Sequence, residues 1–240
     1  MSEIYTMTSR MLNQSKSLDK VAHNMANVNT VGFKRQDLSF KSVLDASQTQ
    51  AEHGSSFATV ASTNTDFTDG GLNITNSRLD LAINGDGFFG YKRGEGTVYS
   101  KDGHLSVSST GQLINSSGES ILGVDGQPID IPLNSIVNIT PQGEVKDTNG
   151  AVFGQVGMFE FNNKQQLISA GNSSFVSPTE PEKTTDYLLT PGALEQSNVN
   201  GIQESVKLTE VSRAYQSAAK LVKTFEDLEN KVTRELYKVK

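Results

Sequence analysis

The sequence predicts an α+β fold in which N- and C-terminal helices pair as a coiled coil around an inserted, mainly antiparallel all-β domain of many short strands. Apolar residues recur every seven positions at both ends of the 240-residue chain. The region between contains short apolar runs separated by turn pairs such as Asp69-Gly70. Such runs indicate antiparallel strands. We therefore expect a terminal helical domain (1–32 plus 195–240), an extended connector (33–69) and a β-domain (70–190).

The first predicted helix spans residues 3 to 28 and ends before Gly32, where Asn and Gly favour a terminating turn. One side carries two apolar rows spaced by seven residues, with Gln14 interrupting the second row. This pattern is typical of a coiled-coil seam. The seam residues of this helix are Ile4, Met7, Met11, Leu18, Val21, Met25 and Val28.

The segment from residue 33 to 69 is polar, rich in Ser, Thr, Gln and Ala, and contains isolated aromatic residues such as Phe40 and Phe67. That composition predicts an extended connector. Because a pure linker would have fewer aromatic residues, we expect part of it to pack along the helices or against a neighbour.

The predicted β-domain consists of short apolar runs, each bounded by residues that favour turns. We predict a hairpin turn at Asn84-Gly85-Asp86-Gly87, which lacks the ligand series and closing Glu of a calcium loop. The predicted strands are Leu79 to Ile83, Phe88 to Tyr91, Leu105 to Val107, Gln112 to Ile114, Ile129 to Ile131, Val137 to Ile139 and Val152 to Phe161.

The last predicted helix carries a matching seam that Leu221 and Leu228 widen, which leaves apolar surface for neighbouring subunits. An exposed stripe makes a helix marginal alone, so each end needs a partner. The alternative from periodicity is a two-helix cap over one face of the sheet. The seam residues of this helix are Leu208, Val211, Tyr215, Val222, Phe225, Val232 and Leu236.

The composition argues against several functions. The net charge is −6 and Lys and Arg are scattered, so no basic surface for nucleic acid is expected. With no cysteine there is neither a disulfide nor a thiol site. The first residues lack a basic patch followed by an apolar run, so we expect no cleaved secretory signal, and no run reaches the length of a membrane span.

Catalytic and metal-binding patterns are also missing from the sequence. His23, His53 and His104 are not at metal-ligand spacing, and no nucleotide-binding or nucleophile motif is found. Four carboxylates near turns could in principle form a glycosidase pair, but Asp beside a turn usually binds local backbone N–H groups. We predict no catalytic site, no cofactor, no metal and no small-molecule substrate. The four carboxylates are those of Asp80, Asp86, Asp102 and Asp125.

Three motifs, in order along the chain, resemble those of the flagellar rod and hook (axial) protein family. The first lies at the end of the first helix, the second is Leu79 to Phe89, and the third starts at Gly192 and continues to Gln216. The matching N-terminal residues are Asn24, Ala26, Asn27, Asn29, Thr30, Gly32, Phe33 and Lys34. The matching C-terminal residues are Leu194, Glu195, Ser197, Asn198, Val199, Arg213, Ala214 and Tyr215.

The resemblance implies a structural subunit that polymerises through its terminal helices, with the β-domain facing outward. It implies a place in the flagellar basal body, in the rod that crosses the periplasm, after export without a cleaved signal by the flagellar type III apparatus. The implied partners are further copies and the other proximal and distal rod proteins. Gly192-Ala193 before the Leu-Glu pair favours the proximal branch of the family, and the distal branch is the alternative.

The seam and the resemblance lead to one hypothesis about assembly, and a second hypothesis stands as the alternative to the resemblance. In the first, the helical ends are disordered in the monomer and fold on docking, with Asn27, Asn29 and Gly32 setting the exit angle into the connector. The alternative is that Asn27, Asn29 and Gly32 only terminate the helix. In the second, from a different class, the chain is a secreted β-rich binding domain on a helical oligomerisation stalk.

Overall fold

The chain folds into two units, and each is described by itself. In the computed structural model, unit 1 comprises Met1–Ala26, Gln36–Asp66 and Asn200–Lys240, and unit 2 comprises Asn27–Arg35 and Phe67–Val199. The structure describes residues 2–44, 56–133, 135–184 and 187–238. The α+β class with many short antiparallel strands and two terminal helices is confirmed.

Unit 1 contains two helices that pack against each other, α1 (Ser2–Ala26) and α2 (Gly201–Lys238). Helix α1 ends at Ala26, not at residue 28, because the chain turns at Asn27, whose carbonyl accepts a hydrogen bond from the Thr30 N–H (3.2 Å). The predicted seam residue Val28 therefore follows the helix and belongs to unit 2.

The C-terminal helix begins later than predicted, at Gly201 instead of residue 195. Asn200 is its N-cap, since the side-chain Oδ1 accepts hydrogen bonds from the N–H groups of Ile202 and Gln203, both at 3.1 Å. The residues before the cap cannot extend the helix, because Ala193–Glu195 forms a strand.

The predicted extended connector is instead partly a β-hairpin, and that prediction was wrong. Strands β1 (Gln36–Leu44) and β2 (Ser56–Thr65) pair antiparallel with an irregularity at Ser39/Phe40. Helix α1 contacts both strands. Most side chains of the two strands are polar or small, so the segment lacks the apolar runs from which the other strands were predicted.

Unit 2 is built from sixteen short strands within the described residues. Their mean length is small because a Gly or Asn turn follows most of them. They are β3 (Leu72–Ile74), β4 (Leu81–Asn84), β5 (Phe88–Arg93), β6 (Gly96–Ser100), β7 (Leu105–Val107), β8 (Leu113–Asn115), β9 (Ser120–Ile121), β10 (Val137–Ile139), β11 (Glu144–Asp147), β12 (Val152–Gln155), β13 (Met158–Glu160), β14 (Ile168–Gly171), β15 (Ser174–Val176), β16 (Glu182–Thr184), β17 (Leu188–Pro191) and β18 (Ala193–Glu195).

All described pairs in this unit are antiparallel. The largest sheet has the order β14-β15-β6-β5-β9-β8-β7, and β13 joins it by pairing with β5 and β16. A three-stranded sheet has the order β10-β11-β12. Two further pairs, β17-β4 and β18-β3, attach the last strands of the unit to its first strands. The segment 67–199 therefore ends beside the strands with which it begins.

The strand predictions were accurate for the runs that alternate, and wrong where a short apolar run lies in a turn-rich loop. Residues 105–107 and 137–139 are strands as predicted. Ile129 and Ile131 are buried core residues but lie outside the named strands. The long run from Val152 to Phe161 is two strands interrupted at Gly157, where a Cβ would lie 2.6 Å from the Gly123 carbonyl oxygen.

The predicted hairpin at residues 84–87 is a turn, but not a hairpin. Strand β4 pairs with β17, whereas β5 pairs with β6, β9 and β13, so this turn connects strands of different sheets. Local composition can identify a turn, but it cannot say which strands pair across it.

Two buried clusters form the core of unit 2. The larger is mostly aliphatic and includes Leu81, Phe89, Leu113 and Val145, each fully buried. The smaller is mainly aromatic, with rings packed edge to face, and its members are Phe88, Tyr99, Leu122, Phe159, Leu167 and Phe175. Unit 2 thus has a core of its own.

Candidate assembly surface and motif junction

Apart from Val28, which follows α1, the predicted seam residues lie on two helices that contact each other, and most of them are half-buried. Among those with described side chains, Val21 is buried and Val232 is exposed. The side chains of Ile4 and Leu236 lie outside the described part of the structure. The half-buried residues are Met7, Met11, Leu18, Met25, Val28, Leu208, Val211, Tyr215, Val222 and Phe225.

A groove of about 220 Å³ lies between α1 and α2. Its lining combines small residues of α2 with longer side chains from both helices. Ala218 is buried, whereas Leu221 is half-exposed. Among the side chains that the structure describes, the lining consists of Met7, Arg10, Ala214, Ser217, Ala218 and Leu221. This groove is an apolar surface that the paired helices leave open.

The motif residue Asn24 joins α1 to the first strand of unit 1. Its Oδ1 accepts a hydrogen bond from the Gln36 N–H (3.0 Å), and its Nδ2 donates to the Gln36 carbonyl (2.9 Å). Lys20 donates to the Gln36 side chain at 2.9 Å. Asn24 is buried, so the side-chain amide replaces the partners that this stretch of backbone would otherwise lack.

In unit 2 the N-terminal and C-terminal motifs meet at a buried ion pair. Lys34 Nζ lies 2.7 Å from Glu195 Oε1, and both side chains are almost completely buried. Lys34 also donates to the Thr68 carbonyl at 2.7 Å. The same Glu195 oxygen accepts the Gly70 N–H at 3.1 Å. One carboxylate therefore holds three separate stretches of chain together; we refer to this arrangement as the motif junction.

Lys101 and Asp69 complete the motif junction, and the sequence did not predict a role there for either of them. Lys101 Nζ lies 3.6 Å from Glu195 Oε2 and 3.5 Å from Asp69 Oδ1, and it donates to the Gly85 carbonyl at 2.6 Å. Burial lowers the pKa of Lys101, while the charge of Glu195 opposes that shift. Lys101 lies beside an Asp-Gly turn, so the sequence offers no signal that it is buried.

Gly32 makes the close approach on which the junction depends. It has a φ of +65°, and a Cβ there would lie 2.5 Å from the Asp102 nitrogen and 2.6 Å from the Lys101 carbonyl carbon. Its N–H donates to the Glu195 carbonyl at 2.9 Å. Gly32 is therefore both a left-handed turn residue and a packing site against the 101–102 backbone.

Asn198 ties the other side of the junction. Its Oδ1 accepts the Arg35 N–H at 2.7 Å, and its Nδ2 donates to the Thr68 carbonyl at 3.1 Å. Asn27 accepts a hydrogen bond from the Thr30 hydroxyl at 3.1 Å, which closes the turn after the first helix. The structure thus brings most of the motif residues of the two chain ends into one place.

The remaining motif residues lie near the junction or on the helices. Phe33, Leu194, Ser197 and Val199 are buried in unit 2, and Asn29 is exposed. Ala26 is exposed at the end of α1, and Arg213 and Ala214 are exposed on α2 beside half-buried Tyr215.

The four carboxylates considered for catalysis are each engaged locally. Asp80 contacts His104 at 2.8 Å, and Asp86 pairs with Lys164, whose hydrogen bond lowers the pKa of that carboxyl. Burial raises the pKa of Asp102, while its hydrogen bond from the His104 N–H opposes that shift. Asp125 accepts the Gln127 N–H at 3.0 Å. Asp102 and Asp125 thus bind backbone N–H groups of their own turns, as their sequence context indicated, whereas Asp80 and Asp86 contact side chains that are distant in the sequence.

The described residues contain no group of three or more His, Asp or Glu side chains placed to hold a metal ion. No described helix is both long enough and apolar enough to cross a membrane.

Family comparisons match three successive stretches of the chain. Residues 4–34 match the flagella basal body rod protein family, and residues 82–147 match the D1 domain of the flagellar hook protein FlgE/F/G group. Residues 190–235 match the C-terminal family of the flagellar basal body rod FlgEFG proteins. The two terminal matches contain the helices and both halves of the motif junction.

Curated relatives match over nearly the whole chain. The flagellar basal-body rod protein FlgF of Caulobacter vibrioides is 32% identical over 98% of this chain and 98% of its own length. FlgF of Mesorhizobium japonicum is 30% identical over 92% of this chain and 91% of its own. The flagellar basal-body rod protein FlgG of Bacillus subtilis is 30% identical over 94% and 95%.

The matched stretches and the fold together define an axial structural protein of the bacterial flagellum. The chain belongs to the flagellar basal-body rod protein family, and as a member it is a structural rod subunit of the basal body that assembles with other rod components. This assignment favours a rod subunit over a binding domain on an oligomerisation stalk.

We predict that Glu195→Gln strongly destabilises unit 2. The change removes the buried carboxylate 2.7 Å from the Lys34 ammonium and leaves only the half-exposed Asp69 carboxylate, at 3.7 Å, as an anionic partner. Breaking a buried pair from one side costs about 3–5 kcal/mol. Urea unfolding followed by tyrosine fluorescence measures the loss. The control is Glu144→Gln, which removes the partly exposed pair with Lys146 and should change stability by less than about 1 kcal/mol. Equal losses in the two variants would refute the role given to Glu195.

We predict that Gly32→Ala costs clearly more than Gly118→Ala. Both residues have positive φ, so both variants pay the left-handed strain of about 1–2 kcal/mol. Only Gly32 faces backbone within 2.6 Å, whereas a Cβ at Gly118 meets nothing within 4 Å. Thermal unfolding of the two variants compares them directly. Equal midpoints would mean that the 101–102 backbone moves freely and that Gly32 is only a turn residue.

Proposed function

We propose that this chain polymerises through α1 and α2 into the proximal part of the flagellar rod, with the two helices forming the seam within and between subunits. The observation that supports this most directly is the partial exposure of the seam side chains. Most remain half-buried when the helices contact each other, and Leu12, Leu221 and Leu228 are at least half-exposed. Apolar surface of this kind on paired helices needs further partners.

The proposal extends to the paired geometry of the helices. The rows identified at α1 and α2 fit coiled-coil packing, and Ala218 and Val21 are buried where the helices and hairpin of unit 1 contact one another. Burying about ten more apolar side chains on assembly, at roughly 1.5 to 3 kcal/mol each, yields tens of kcal/mol before ordering costs. Much of that energy offsets the ordering of the helices.

The proximal position in the rod rests on residues at the junction. Ala193 is almost completely buried and Gly192 has a φ of +73°, so the site before Leu194 holds small residues. Relatives named FlgF match over up to 98% of this chain. The alternative is a distal rod position, because relatives named FlgG also match at 30% identity over most of the chain.

The proposal also states how the subunit is exported to the rod and whether it catalyses a reaction. We propose that the subunit reaches the periplasmic rod through the flagellar type III export apparatus, without a cleaved signal peptide, and that it acts structurally and catalyses no reaction. Helices held weakly in the monomer would suit passage through a narrow channel. The absence of cysteine from the sequence is compatible with such threading.

Val222→Asp tests the seam. Val222 is half-buried on α2, and a carboxylate there would be desolvated on assembly, so we expect the variant to be secreted but rod yield to fall at least tenfold. The yield is measured by counting basal bodies in electron micrographs of cells that carry only the variant. The matched control, Thr224→Asp, introduces the same charge at an exposed position two residues away and should assemble normally. Normal rods from the secreted Val222→Asp variant would show that the seam assignment is wrong.

Amide hydrogen exchange of the dilute monomer tests whether the ends fold on assembly. Residues 2–26 and 201–238 bury few apolar side chains, whereas residues 67–199 have two buried clusters. We therefore expect rapid exchange in both helices and slow exchange in the strands of unit 2. Protected helices at a concentration where the chain is monomeric would instead favour a stable intramolecular helix pair.

A further inference from the structure

We infer that the groove between α1 and α2 binds a ridge formed by Ile202 and Val206 of a second copy of this chain. This inference rests on the proposed polymerisation and names the surfaces that would carry it. The groove and the ridge lie on different parts of unit 1, so a chain can offer its ridge to one neighbour while it receives the ridge of another.

The groove has the size and chemistry to accept an aliphatic side chain. Its volume is about 220 Å³, and its described lining is apolar apart from Arg10 and Ser217. A cavity of about 150 Å³ lined by aliphatic residues is already large enough for benzene. The small side chains of Ala214, Ser217 and Ala218 create the space on α2. A branched aliphatic side chain from outside can therefore enter without displacing the helices.

The ridge is the most exposed apolar feature of α2. Ile202 is 80% exposed and Val206 is 55% exposed, and residues four apart lie on the same side of a helix. The groove residues of α2 follow Val206 by 8 to 15 positions, which places them about 12 to 22 Å further along the axis and between about 20° and 120° around it. The ridge is therefore too far along the helix to fill the groove of its own chain.

The separation of the two surfaces determines the kind of assembly. A contact between unlike surfaces of identical chains either closes into a ring or continues as an open helical filament. Ridge and groove are centred about thirteen residues apart on α2, or about 20 Å along the axis at 1.5 Å per residue. Repeated contacts of this kind stagger neighbouring copies along the helix direction, as a rod requires.

Charge at the two surfaces supports a second copy as the occupant. Arg10 lines the groove and is exposed. Glu210 is exposed on α2, four residues after Val206, and so extends the ridge. When the ridge enters a neighbouring groove, these opposite charges can face each other across the contact. Such rim charges select register and partner more than they add affinity.

Two blocking variants test the inference. Ala214→Trp fills the groove from within, and Ile202→Asp places a charge on the ridge; since Ile202 follows the N-cap by two residues, a carboxylate there is favourable for the helix itself. We expect each variant to reduce the polymer fraction in sedimentation at least tenfold. The matched controls, Gln216→Trp and Gln203→Asp, place the same side chains at exposed neighbouring positions and should polymerise as the unaltered chain does.

Mixing the two blocked variants separates this contact from general damage. Each retains one intact surface, so a mixture should form a discrete pair but no polymer. Because the sequence has no cysteine, Ser217→Cys can be added to the Ile202→Asp chain and Val206→Cys to the Ala214→Trp chain, and oxidation should then link the two different chains. Moving the first cysteine to residue 216 should reduce that link at least fivefold.

The outcomes distinguish this inference from the proposed function. If the unaltered chain polymerises and both blocked variants do so equally well, the groove–ridge contact is wrong while polymerisation through the helices stands. A mixture that gives no cross-linked pair also overturns the contact. If the unaltered chain does not enter rods in cells at all, the proposed function falls first, and this inference falls with it.

Discussion

The Glu195 carboxylate is the constraint on which the arrangement of unit 2 depends. It contacts the Lys34 ammonium and the Gly70 N–H, and Lys101 lies against its second oxygen. A buried carboxylate costs several kcal/mol unless it is paired and hydrogen-bonded, so the three partners have to arrive together. Each arrives on a different stretch of chain. The charge cluster therefore specifies how these stretches meet rather than simply adding stability.

This specificity explains why the sequence motifs of the two ends belong together. Lys34 and Glu195 are 161 residues apart in the sequence. Either charge would be costly to bury without the other. Gly32 is needed because backbone lies where a Cβ would be, and Asn198 because it accepts from the Arg35 N–H and donates to the Thr68 carbonyl, on two separate stretches of the chain. Once the junction forms, the chain enters and leaves unit 2 beside β18 and β3, which pair with each other.

How much of this could be predicted depended on whether the signal was local. The helices, the turn at Gly32 and the strands at 105–107 and 137–139 follow from periodicity and turn residues within a few positions. The β1–β2 hairpin was missed because its strands are mostly polar and the residues that pair are on average about twenty positions apart in the sequence. Lys101 and Asp69 were missed for a related reason: only the assembled junction makes an ordinary charged residue near a turn into a buried one. The seam residues remain a prediction.

The neighbouring entry and exit of unit 2 have an evolutionary consequence. A β unit that begins and ends at one ion-paired point is a modular insert, and its size can change without altering the spacing of the segments that flank it. Turns such as those at Gly94, Gly118 and Gly150, where an added Cβ would meet nothing, are natural places for such growth. Lineages can therefore enlarge or shrink unit 2 while the motif junction stays unchanged.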